Sequence, residues 1–312
     1  MNTYYYAVLK LDSFYLSLEE LKALLNYEEK ISYFTGVAIF EKWKDGVSLR
    51  SSTIKRAGRV IKISNDPKEI NEEIRGECYT INVDSIRGFG KEKLKENYEE
   101  ITKGIKLSKK CRELDLIFTD GTIIAGLVIE KRDSKSLERH SKRPFKQSGT
   151  MDSSTARLLV NISRPRKLVL DPFCGTGSLL IEASWLGYNC IGSDISAEMI
   201  NKSKLNLNYF GYNCELLQSS ALNLGIRSVD AIATDPPYGR SSASKGANLR
   251  ELYEKFFSEA NNILCKECYL VFSTSHDMDW RDILKSVGFR EIKIHYLYSH
   301  KSLTRAIYVV KK

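Results

Sequence analysis

The segment Leu168–Ala183, LVLDPFCGTGSLLIEA, constrains the fold of this chain more than any other stretch. Its first four residues predict a short buried strand that ends at Asp171. Gly175 and Gly177 predict a tight turn whose backbone can approach a ligand closely, and Ser178–Ala183 predicts the start of a helix whose free N–H groups face that turn. This order of strand, glycine-bearing loop and helix is typical of the first nucleotide-binding unit of a doubly wound α/β domain.

The residues of the loop favour one kind of cofactor. The sequence has neither the G-x-G-x-x-G pattern of dinucleotide sites nor the G-x-x-x-x-G-K-[ST] pattern of triphosphate sites. An acid at the end of the strand would repel a phosphate and suits a cation instead. S-adenosylmethionine carries both an adenosine and a cationic amino-acid end. We therefore expect this cofactor to bind here, with contacts from Asp171, Phe173, Cys174, Gly175, Thr176 and Gly177.

The ends of the next two predicted strands supply further candidates for the cofactor site. Asp194 ends the second strand, where an acid can accept both ribose hydroxyls, and Ile195 follows it. An acid that merely enters a turn is the alternative, and the neighbouring loop favours ribose binding. The third strand is followed by Ser219, Ser220 and Ala221. We expect the adenine to contact the Ser220 hydroxyl or the Ala221 backbone N–H.

A second motif, Asp235-Pro236-Pro237-Tyr238-Gly239, follows the fourth predicted strand. Prolines fix the backbone and remove donors, so carbonyl oxygens stay free to accept hydrogen bonds. The Asp235 carboxylate and the Pro236 carbonyl could accept both N–H bonds of an exocyclic amine and aim its lone pair at a methyl group, while Tyr238 stacks on the base. The sequence predicts methyl transfer assisted by positioning and electrostatics, with the base flipped out of its stack. The candidate catalytic residues are Asp235, Pro236, Pro237 and Tyr238, and Asp235 is also expected to contact the cofactor.

The composition is that of an ordinary globular protein, with 42% hydrophobic and 28% charged residues over 312 positions. No apolar run approaches the roughly 20 residues that a membrane span needs, and the start of the chain lacks the features of a signal peptide. We therefore expect a cytoplasmic protein without membrane contact.

The seven cysteines are irregularly spaced and predict no disulfide framework. Cys265 and Cys268 form a C-x-x-C without a second pair, and His276, His295 and His300 have no partners at metal-ligand spacing. The sequence therefore predicts structural or incidental thiols and no metal ion.

The net charge of +9 favours a polyanionic partner, although a solvated basic surface would give the same charge. Basic residues gather in Lys55–Lys62 and Lys131–Lys146. The candidates for contacts to nucleic acid are Lys55, Arg56, Arg59, Arg132, Lys135, Arg143 and, after the Asp-Pro-Pro-Tyr motif, Arg240.

The pattern along the chain predicts an α/β protein with a small N-terminal subdomain at 1–50 and a mixed α+β region at 51–140. Ser17-Leu-Glu-Glu20 reads as a capping box that opens a helix, and Asp120-Gly121 predicts a two-residue hairpin. The basic stretch up to about residue 150 is the expected linker. Residues 151–312 alternate strands and helices, which predicts a mostly parallel sheet. Seven strands, the last two joined as a hairpin, fit a class I, Rossmann-like methyltransferase domain.

Four motifs resemble those of the THUMP-domain RNA methyltransferases, most closely the archaeal tRNA guanosine-N2 methyltransferases that act at position 10. They are Arg143-Pro144-Phe145, Asp171–Gly177, Asp235–Ser241 and His300-Lys301-Ser302-Leu303-Thr304-Arg305. The resemblance covers residues 143–312 well and rests on layout for residues 1–142. It departs from the family at Ser219 and Ser220, where an acid is usual.

The resemblance implies a ferredoxin-like N-terminal subdomain, a THUMP-like domain that holds the tRNA acceptor end, and a tRNA (guanine-N2-)-methyltransferase activity that uses S-adenosylmethionine. It adds Phe145 to the expected cofactor site, and Lys301 and Arg305 to the expected RNA contacts. It leaves open whether one or two methyl groups are added and whether a small activator protein is needed. Without such a protein, we expect a monomer.

Three other functions are compatible with the same residues. A DNA adenine-N6 or cytosine-N4 methyltransferase uses the same Asp-Pro-Pro-Tyr chemistry, but no module for reading the major groove is evident. The target could also be a guanosine at another position of tRNA or in ribosomal RNA. The third alternative is a non-catalytic RNA-binding subunit, which the intact Asp171, Asp194 and Asp235 disfavour.

Overall fold

The structure is a computed structural model, and it describes residues 3–25, 31–147, 149–238, 246–300 and 303–312. The chain divides into two compact units, residues 1–133 and residues 134–312.

Among its described residues, the first unit has one eight-stranded sheet and three α-helices. Its strands are β1 (Tyr5–Leu9), β2 (Ser32–Phe34), β3 (Val37–Phe40), β4 (Ile54–Ser64), β5 (Cys78–Ser85), β6 (Lys106–Leu107), β7 (Arg112–Thr119) and β8 (Thr122–Lys131). Its helices are α1 (Phe14–Leu25), α2 (Pro67–Ile74) and α3 (Lys91–Thr102). The strand order is β2-β3-β1-β4-β8-β7-β5-β6.

The strand β4 joins the two regions that the sequence separates at residue 50. It pairs with β1 on one side and with β8 on the other, antiparallel in both cases. The N-terminal piece and the α+β region therefore share one sheet. The ferredoxin-like and THUMP-like labels for its two halves remain predictions.

Two local signals in this unit have different outcomes. The Asp120-Gly121 hairpin is present, with Thr119 opposite Thr122 and positive φ angles of 50° and 76° at the two turn residues. The predicted capping box is wrong, because α1 begins before it. Ser17 lies inside the helix and donates to the Ser13 carbonyl at 3.0 Å.

Glu20, the other end of the predicted box, has a different role. Its buried carboxylate accepts hydrogen bonds from the backbone N–H groups of Ser52 (2.8 Å) and Thr53 (2.9 Å). Glu20 thus fixes the loop that leads into β4 rather than capping its own helix.

The second unit is a seven-stranded sheet with helices along its strands. Its strands are β9 (Leu168–Asp171), β10 (Asn189–Asp194), β11 (Glu215–Gln218), β12 (Val229–Thr234), β13 (Leu264–Ser275), β14 (Arg290–His300) and β15 (Leu303–Lys311). Its helices are α4 (Ser134–Ser141), α5 (Ser153–Ile162), α6 (Ser178–Trp185), α7 (Ala197–Phe210), α8 (Gly246–Ile263) and α9 (Arg281–Ser286).

The strand order β11-β10-β9-β12-β13-β15-β14 confirms the predicted Rossmann-like sheet. The first five strands of this order are parallel, and β15 is antiparallel to both of its neighbours. The carboxyl ends of β9, β10, β12 and β13 therefore lie at one edge of the sheet, and β15 begins at that edge.

The segment expected to be a linker belongs to the second unit. Residues 134–141 form α4, whose buried His140 lies 2.8 Å from the Glu182 carboxylate on α6. Glu182 also accepts from the Arg157 guanidinium of α5 at 2.8 Å. These buried polar contacts hold α4 and α5 against α6, and the boundary between the units lies near residue 133 rather than at 140–150.

Three disulfides correct the expectation of free thiols. They join Cys78 to Cys111, Cys190 to Cys214 and Cys265 to Cys268, and leave Cys174 as a buried free thiol. Cys78 begins β5 and Cys111 directly precedes the adjoining strand β7, a proximity that sequence spacing alone does not reveal. In the part of the chain that the structure describes, no helix is long and apolar enough to cross a membrane.

Candidate active site

The loop after β9 brings the backbone close to α6 and α7. Gly177 has a φ of 84° and caps the amino end of α6. A Cβ atom at this position would come within 2.5 Å of the Ser203 hydroxyl oxygen on α7. Both the positive φ and the close approach require glycine here.

Asp171 is completely buried at the end of β9. Its Oδ1 accepts hydrogen bonds from the Thr234 hydroxyl (2.6 Å) and the Phe173 backbone N–H (3.2 Å). Its Oδ2 is buried without a hydrogen-bond partner among the described residues. Burial raises the pKa of the Asp171 carboxyl to about 7.

Asp194 organises the turn at the end of β10. Its Oδ2 accepts from the Gly175 backbone N–H at 3.0 Å and its Oδ1 accepts from the Ser196 backbone N–H at 2.9 Å. Ile195 beside it is 76% exposed. The carboxylate thus fixes the glycine loop, and the remaining acceptor positions of a carboxylate stay open to a ligand.

A cavity of about 490 Å³ lies at this edge of the sheet, within the second unit. It brings together most of the predicted cofactor residues, namely Phe173, Cys174, Gly175, Thr176, Asp194, Ile195, Ser220, Ala221 and Asp235. Three predicted residues, Phe145, Asp171 and Gly177, are not among the residues that line it.

The sequence missed one wall of this cavity, which includes Gln147, Gly149, Thr150 and Met151. Buried side chains hold this wall in place. Asn206 on α7 donates to the carbonyls of Phe145 and Thr176, both at 2.8 Å, and accepts from the Phe145 N–H. Phe145 is therefore tied to the glycine loop through its backbone. The sequence signal for this wall was its position directly after Arg143-Pro144-Phe145.

The groups that line the cavity suit S-adenosylmethionine. The cavity joins a carboxylate at the end of β10, glycine-loop backbone at the end of β9 and the Ser220–Ala221 turn after β11. The unpartnered Oδ2 of Asp171 adds a buried acceptor close to this floor. These groups offer acceptors for ribose hydroxyls and a negative field for a cation.

The Asp-Pro-Pro-Tyr motif begins directly after β12. Asp235 and Pro237 line the cavity, and the Tyr253 hydroxyl of α8 donates to the Pro237 carbonyl at 3.4 Å. The Tyr238 hydroxyl donates to the Asp235 carboxylate and lies 2.5 Å from the Ser273 hydroxyl oxygen of β13. Tyr238 thus turns its polar end toward the carboxylate.

Arg305 of β15 completes this cluster, and the sequence did not place it there. Its Nη1 lies 3.1 Å from both oxygens of Asp235 and 3.2 Å from the Ser273 hydroxyl, and it also donates to the Tyr238 hydroxyl. Burial raises the pKa of Asp235, whereas the charge of Arg305 acts to lower it.

The predicted RNA-binding residues fall into three groups. Lys55 and Arg59 in the first unit and Lys135 in the second are exposed, and Arg132 is partly exposed and donates to the Ser52 carbonyl at 2.7 Å. Three others make internal contacts, and we leave them out of the proposed RNA surface: Arg56 pairs with Asp115 and Asp84, Arg143 donates to the Met151 carbonyl, and Arg305 binds Asp235. Arg240 and Lys301 lie outside the described residues.

Across the described ranges, no group of three or more His, Cys, Asp or Glu side chains is arranged to hold a metal ion.

Comparison with known families agrees with this geometry. The model of the RMKL-like methyltransferase domain matches residues 140–305, which is more than half of the chain and contains the whole cavity. A probable tRNA (guanine(10)-N2)-dimethyltransferase of Methanothermococcus thermolithotrophicus is 39% identical over 169 residues, which are 50% of this chain and 97% of that protein. The chain belongs to the family of RMKL-like methyltransferase domains.

Two further relatives carry the same description. The tRNA (guanine(10)-N2)-dimethyltransferase of Methanocaldococcus jannaschii is 31% identical over 75% of this chain and 67% of its own length. That of Methanothermobacter thermautotrophicus is 35% identical over 60% of this chain, and the match spans only 56% of that protein's length.

Solved structures share the fold across nearly the whole chain. TrmN from Thermus thermophilus has a TM-score of 0.56 at 17% identity, covering 99% of both chains. SMU.472, solved with S-adenosylhomocysteine, has a TM-score of 0.52 at 14% identity, covering 99% of this chain and 98% of the other.

A second family model, described as a DNA methylase, matches residues 38–205. That range includes the glycine loop but ends before Asp235. It also crosses the boundary between the two units. The match therefore covers the glycine loop and Asp194 but not the Asp-Pro-Pro-Tyr motif of this chain.

Proposed function

We propose that this protein transfers a methyl group from S-adenosylmethionine to the N2 amine of guanosine 10 in tRNA. One observation carries the proposal: the Asp235 carboxylate lines the same cavity as the glycine loop and Asp194. An amine held by Asp235 would therefore face the bound cofactor. Relatives named as tRNA (guanine(10)-N2)-dimethyltransferases support this target and favour dimethylguanosine as the final product.

The cofactor supplies a sulfonium methyl group: the carbon–sulfur bond breaks with its electron pair left on sulfur, while the amine forms the new bond to carbon and releases a proton. The residues of this chain have to orient the amine. The Asp235 carboxylate and the Pro236 carbonyl would each accept a hydrogen bond from one N–H group of the amine. This arrangement would direct the nitrogen lone pair toward the methyl carbon. This arrangement raises the rate by positioning and by stabilising positive charge that develops on nitrogen.

Three parts of the cavity would hold the cofactor. Asp194 would accept hydrogen bonds from the ribose hydroxyls with the lone pairs that the N–H groups of Gly175 and Ser196 leave free. The turn at Ser220 and Ala221 contacts the adenine. Asp171 holds the glycine loop from below and contributes a negative field at the amino-acid end.

The guanine is proposed to enter as a flipped base, because its amine is inside the stack of a folded tRNA. Its ring would pack on Tyr238 and Pro237 at the cavity mouth. Lys55, Arg59, Arg132 and Lys135 are proposed to contact tRNA phosphates, since each has a partly or fully exposed cationic side chain. We propose that the protein acts in the cytoplasm, and that it is a monomer unless it binds a small activator protein.

Methyl transfer from labelled S-adenosylmethionine to unmodified tRNA transcripts tests the proposal, with digestion to nucleosides. We expect label in N2-methylguanosine and N2,N2-dimethylguanosine, and none when guanosine 10 is replaced by adenosine. Label that persists in the replaced transcript would move the target to another guanosine. Label in ribosomal RNA alone would overturn the tRNA assignment.

A DNA amino-methyltransferase is the second candidate, and the DNA methylase model that matches residues 38–205 favours it. The same assay with duplex and single-stranded DNA separates the two. Label in adenine or cytosine of DNA, with none in tRNA, would support this candidate and overturn the first.

A further inference from the structure

Arg305 is a buried cation near the start of β15. It lies on β15, opposite Ser275 of β13 and Leu297 of β14, at the edge of the sheet that carries the cavity. Its side chain is 92% buried and reaches Asp235, 70 residues earlier in the chain. A buried cation of this kind needs a partner, and Asp235 is that partner.

Three side chains hold the Asp235 carboxylate in place. The Tyr238 hydroxyl and Arg305 donate to Oδ1, and Arg305 also donates to Oδ2. The Ser273 hydroxyl is a further hydrogen-bond partner of this carboxylate. Of these three donors, only Arg305 carries a charge, and charge-assisted hydrogen bonds are the stronger ones. Arg305 is therefore the main group that fixes the orientation of the carboxylate.

Burial raises the pKa of Asp235, whereas the charge of Arg305 and the hydrogen bonds from Tyr238, Ser273 and Arg305 act to lower it. Other titratable groups also lie close to this carboxylate. Asp171 faces it from β9, Tyr253 from α8 and Tyr238 from its own loop, while Asp152 lies near Arg305 and Asp194 near Asp171. Arg305 is the one cation that faces the carboxylate from the elements described around it.

We propose that Arg305 is a positioning residue for methyl transfer, which keeps the Asp235 carboxylate ionised and aimed into the cavity. A protonated Asp235 would have one oxygen occupied by hydrogen and could not accept the amine N–H in the same geometry. The guanidinium therefore determines how far the pH can fall before methyl transfer is lost, although it does not contact the substrate. The expected effect of Arg305 on methyl transfer rests on the proposed function. Its expected effect on the ionisation of Asp235 does not.

The first test measures that ionisation directly, without cofactor or tRNA. The protein is labelled with ¹³C at aspartate carboxyl carbons, and the Asp235 signal is assigned by its loss in Asp235→Asn. We expect the midpoint of its titration to rise by about 1–3 pH units in Arg305→Gln. Arg305→Lys should restore most of the wild-type midpoint, since it keeps a cation. Arg290→Gln is the matched control, because Arg290 is an exposed arginine on neighbouring β14 that pairs with Glu267.

The second test follows single-turnover methyl transfer across the pH range, together with tRNA affinity. We expect the acid limb of the Arg305→Gln profile to move to higher pH, with a rate near pH 6 about tenfold to a thousandfold below wild type. Transfer should recover partly at high pH, and tRNA affinity should stay within about threefold of wild type.

The outcomes separate the two proposals. An unchanged Asp235 titration in both Arg305→Gln and Arg305→Lys, with both variants folded, would overturn the role of Arg305. Loss of tRNA affinity equal to the loss of rate would also overturn it, in favour of an RNA contact. If wild-type protein transfers no methyl group to tRNA, the proposed function fails, and the carboxyl titration still decides the role of Arg305.

Discussion

The Thr234 hydroxyl donates a hydrogen bond to Oδ1 of Asp171 across 2.6 Å, and both residues are completely buried. This contact joins the last residue of β12 to the last residue of β9. Thr234 directly precedes Asp235, and Asp171 directly precedes the glycine loop. The two motifs of the proposed site are therefore linked beneath the cavity by one short hydrogen bond.

Replacement of Thr234 by valine tests this link, because valine keeps the shape and removes the donor. Asp171 would lose one of its two hydrogen bonds in a buried site, which costs about 1–3 kcal/mol. We expect a lower free energy of unfolding in urea and weaker binding of S-adenosylhomocysteine by calorimetry. Thr234→Ser keeps the hydroxyl and serves as the control. Equal stability of the valine and serine variants would show that the hydrogen bond contributes nothing.

The raised pKa of Asp171 predicts a pH dependence of stability. Burial raises this pKa from 3.8 to about 7, so the folded protein binds the proton more tightly than the unfolded chain does. The free energy of unfolding of the cofactor-free protein should therefore fall as pH rises from about 4 to about 7, by about 2–4 kcal/mol from this group. Asp171→Asn should remove that part of the decline.

Urea unfolding of wild type and Asp171→Asn near pH 5 and near pH 8 measures this difference. Asp12→Asn is the matched control, since it makes the same change of charge on a side chain that is 70% exposed. If the two substitutions alter the pH dependence equally, the ionisation of Asp171 does not penalise folding.

The local motifs of this chain could be predicted because their information is contained in short stretches. The strand, loop and helix at Leu168–Ala183 lie where the pattern of apolar and glycine residues puts them. Asp120-Gly121 forms its hairpin because few other dipeptides accept two positive φ angles. Alternating strands and helices were enough to predict the seven-stranded sheet of the second unit.

Contacts between distant residues could not be predicted in the same way. Arg305 reaches Asp235 only because β15 enters the sheet beside β13, and a single sequence contains no signal for that pairing. The hydrogen bonds from Asn206 to Phe145 and Thr176 likewise depend on how α7 packs. Ser17 matched a capping pattern, but a helix start three residues earlier placed it inside α1.

Replacement of Asp235 by alanine should abolish methyl transfer and spare tRNA binding, because the carboxylate is proposed to address only the amine. We expect a loss of rate of at least about 100-fold in single-turnover assays, with tRNA affinity within about threefold by filter binding. Asp279→Ala is the control, since Asp279 is an exposed aspartate that pairs with Arg281. A parallel loss of tRNA affinity would contradict the catalytic role.

The exposed cations of β4 should contribute to tRNA binding through phosphate contacts. We expect Lys55→Ala and Arg59→Ala each to weaken binding and to lower the slope of log affinity against log salt by about 0.7–0.9 per lost contact. Lys255→Ala removes an exposed charge that pairs with Glu251 on α8 and serves as the control. Unchanged slopes in both β4 variants would show that these side chains form only a solvated surface.

The Cys78–Cys111 disulfide should stabilise the first unit, because it closes a loop with a sequence separation of 33. In the chain-entropy account, a loop of this length is worth about 4 kcal/mol. The double substitution of both cysteines by serine should therefore lower the unfolding temperature of the first unit. A reducing agent should lower that temperature in the wild type but add little in the variant, whose remaining Cys190–Cys214 and Cys265–Cys268 pairs lie in the second unit. Alkylation of the unfolded, non-reduced protein provides a control, since the three pairs leave only the Cys174 thiol free. Alkylation at Cys78 or Cys111 under these conditions would show that the pair is not oxidised in the isolated protein.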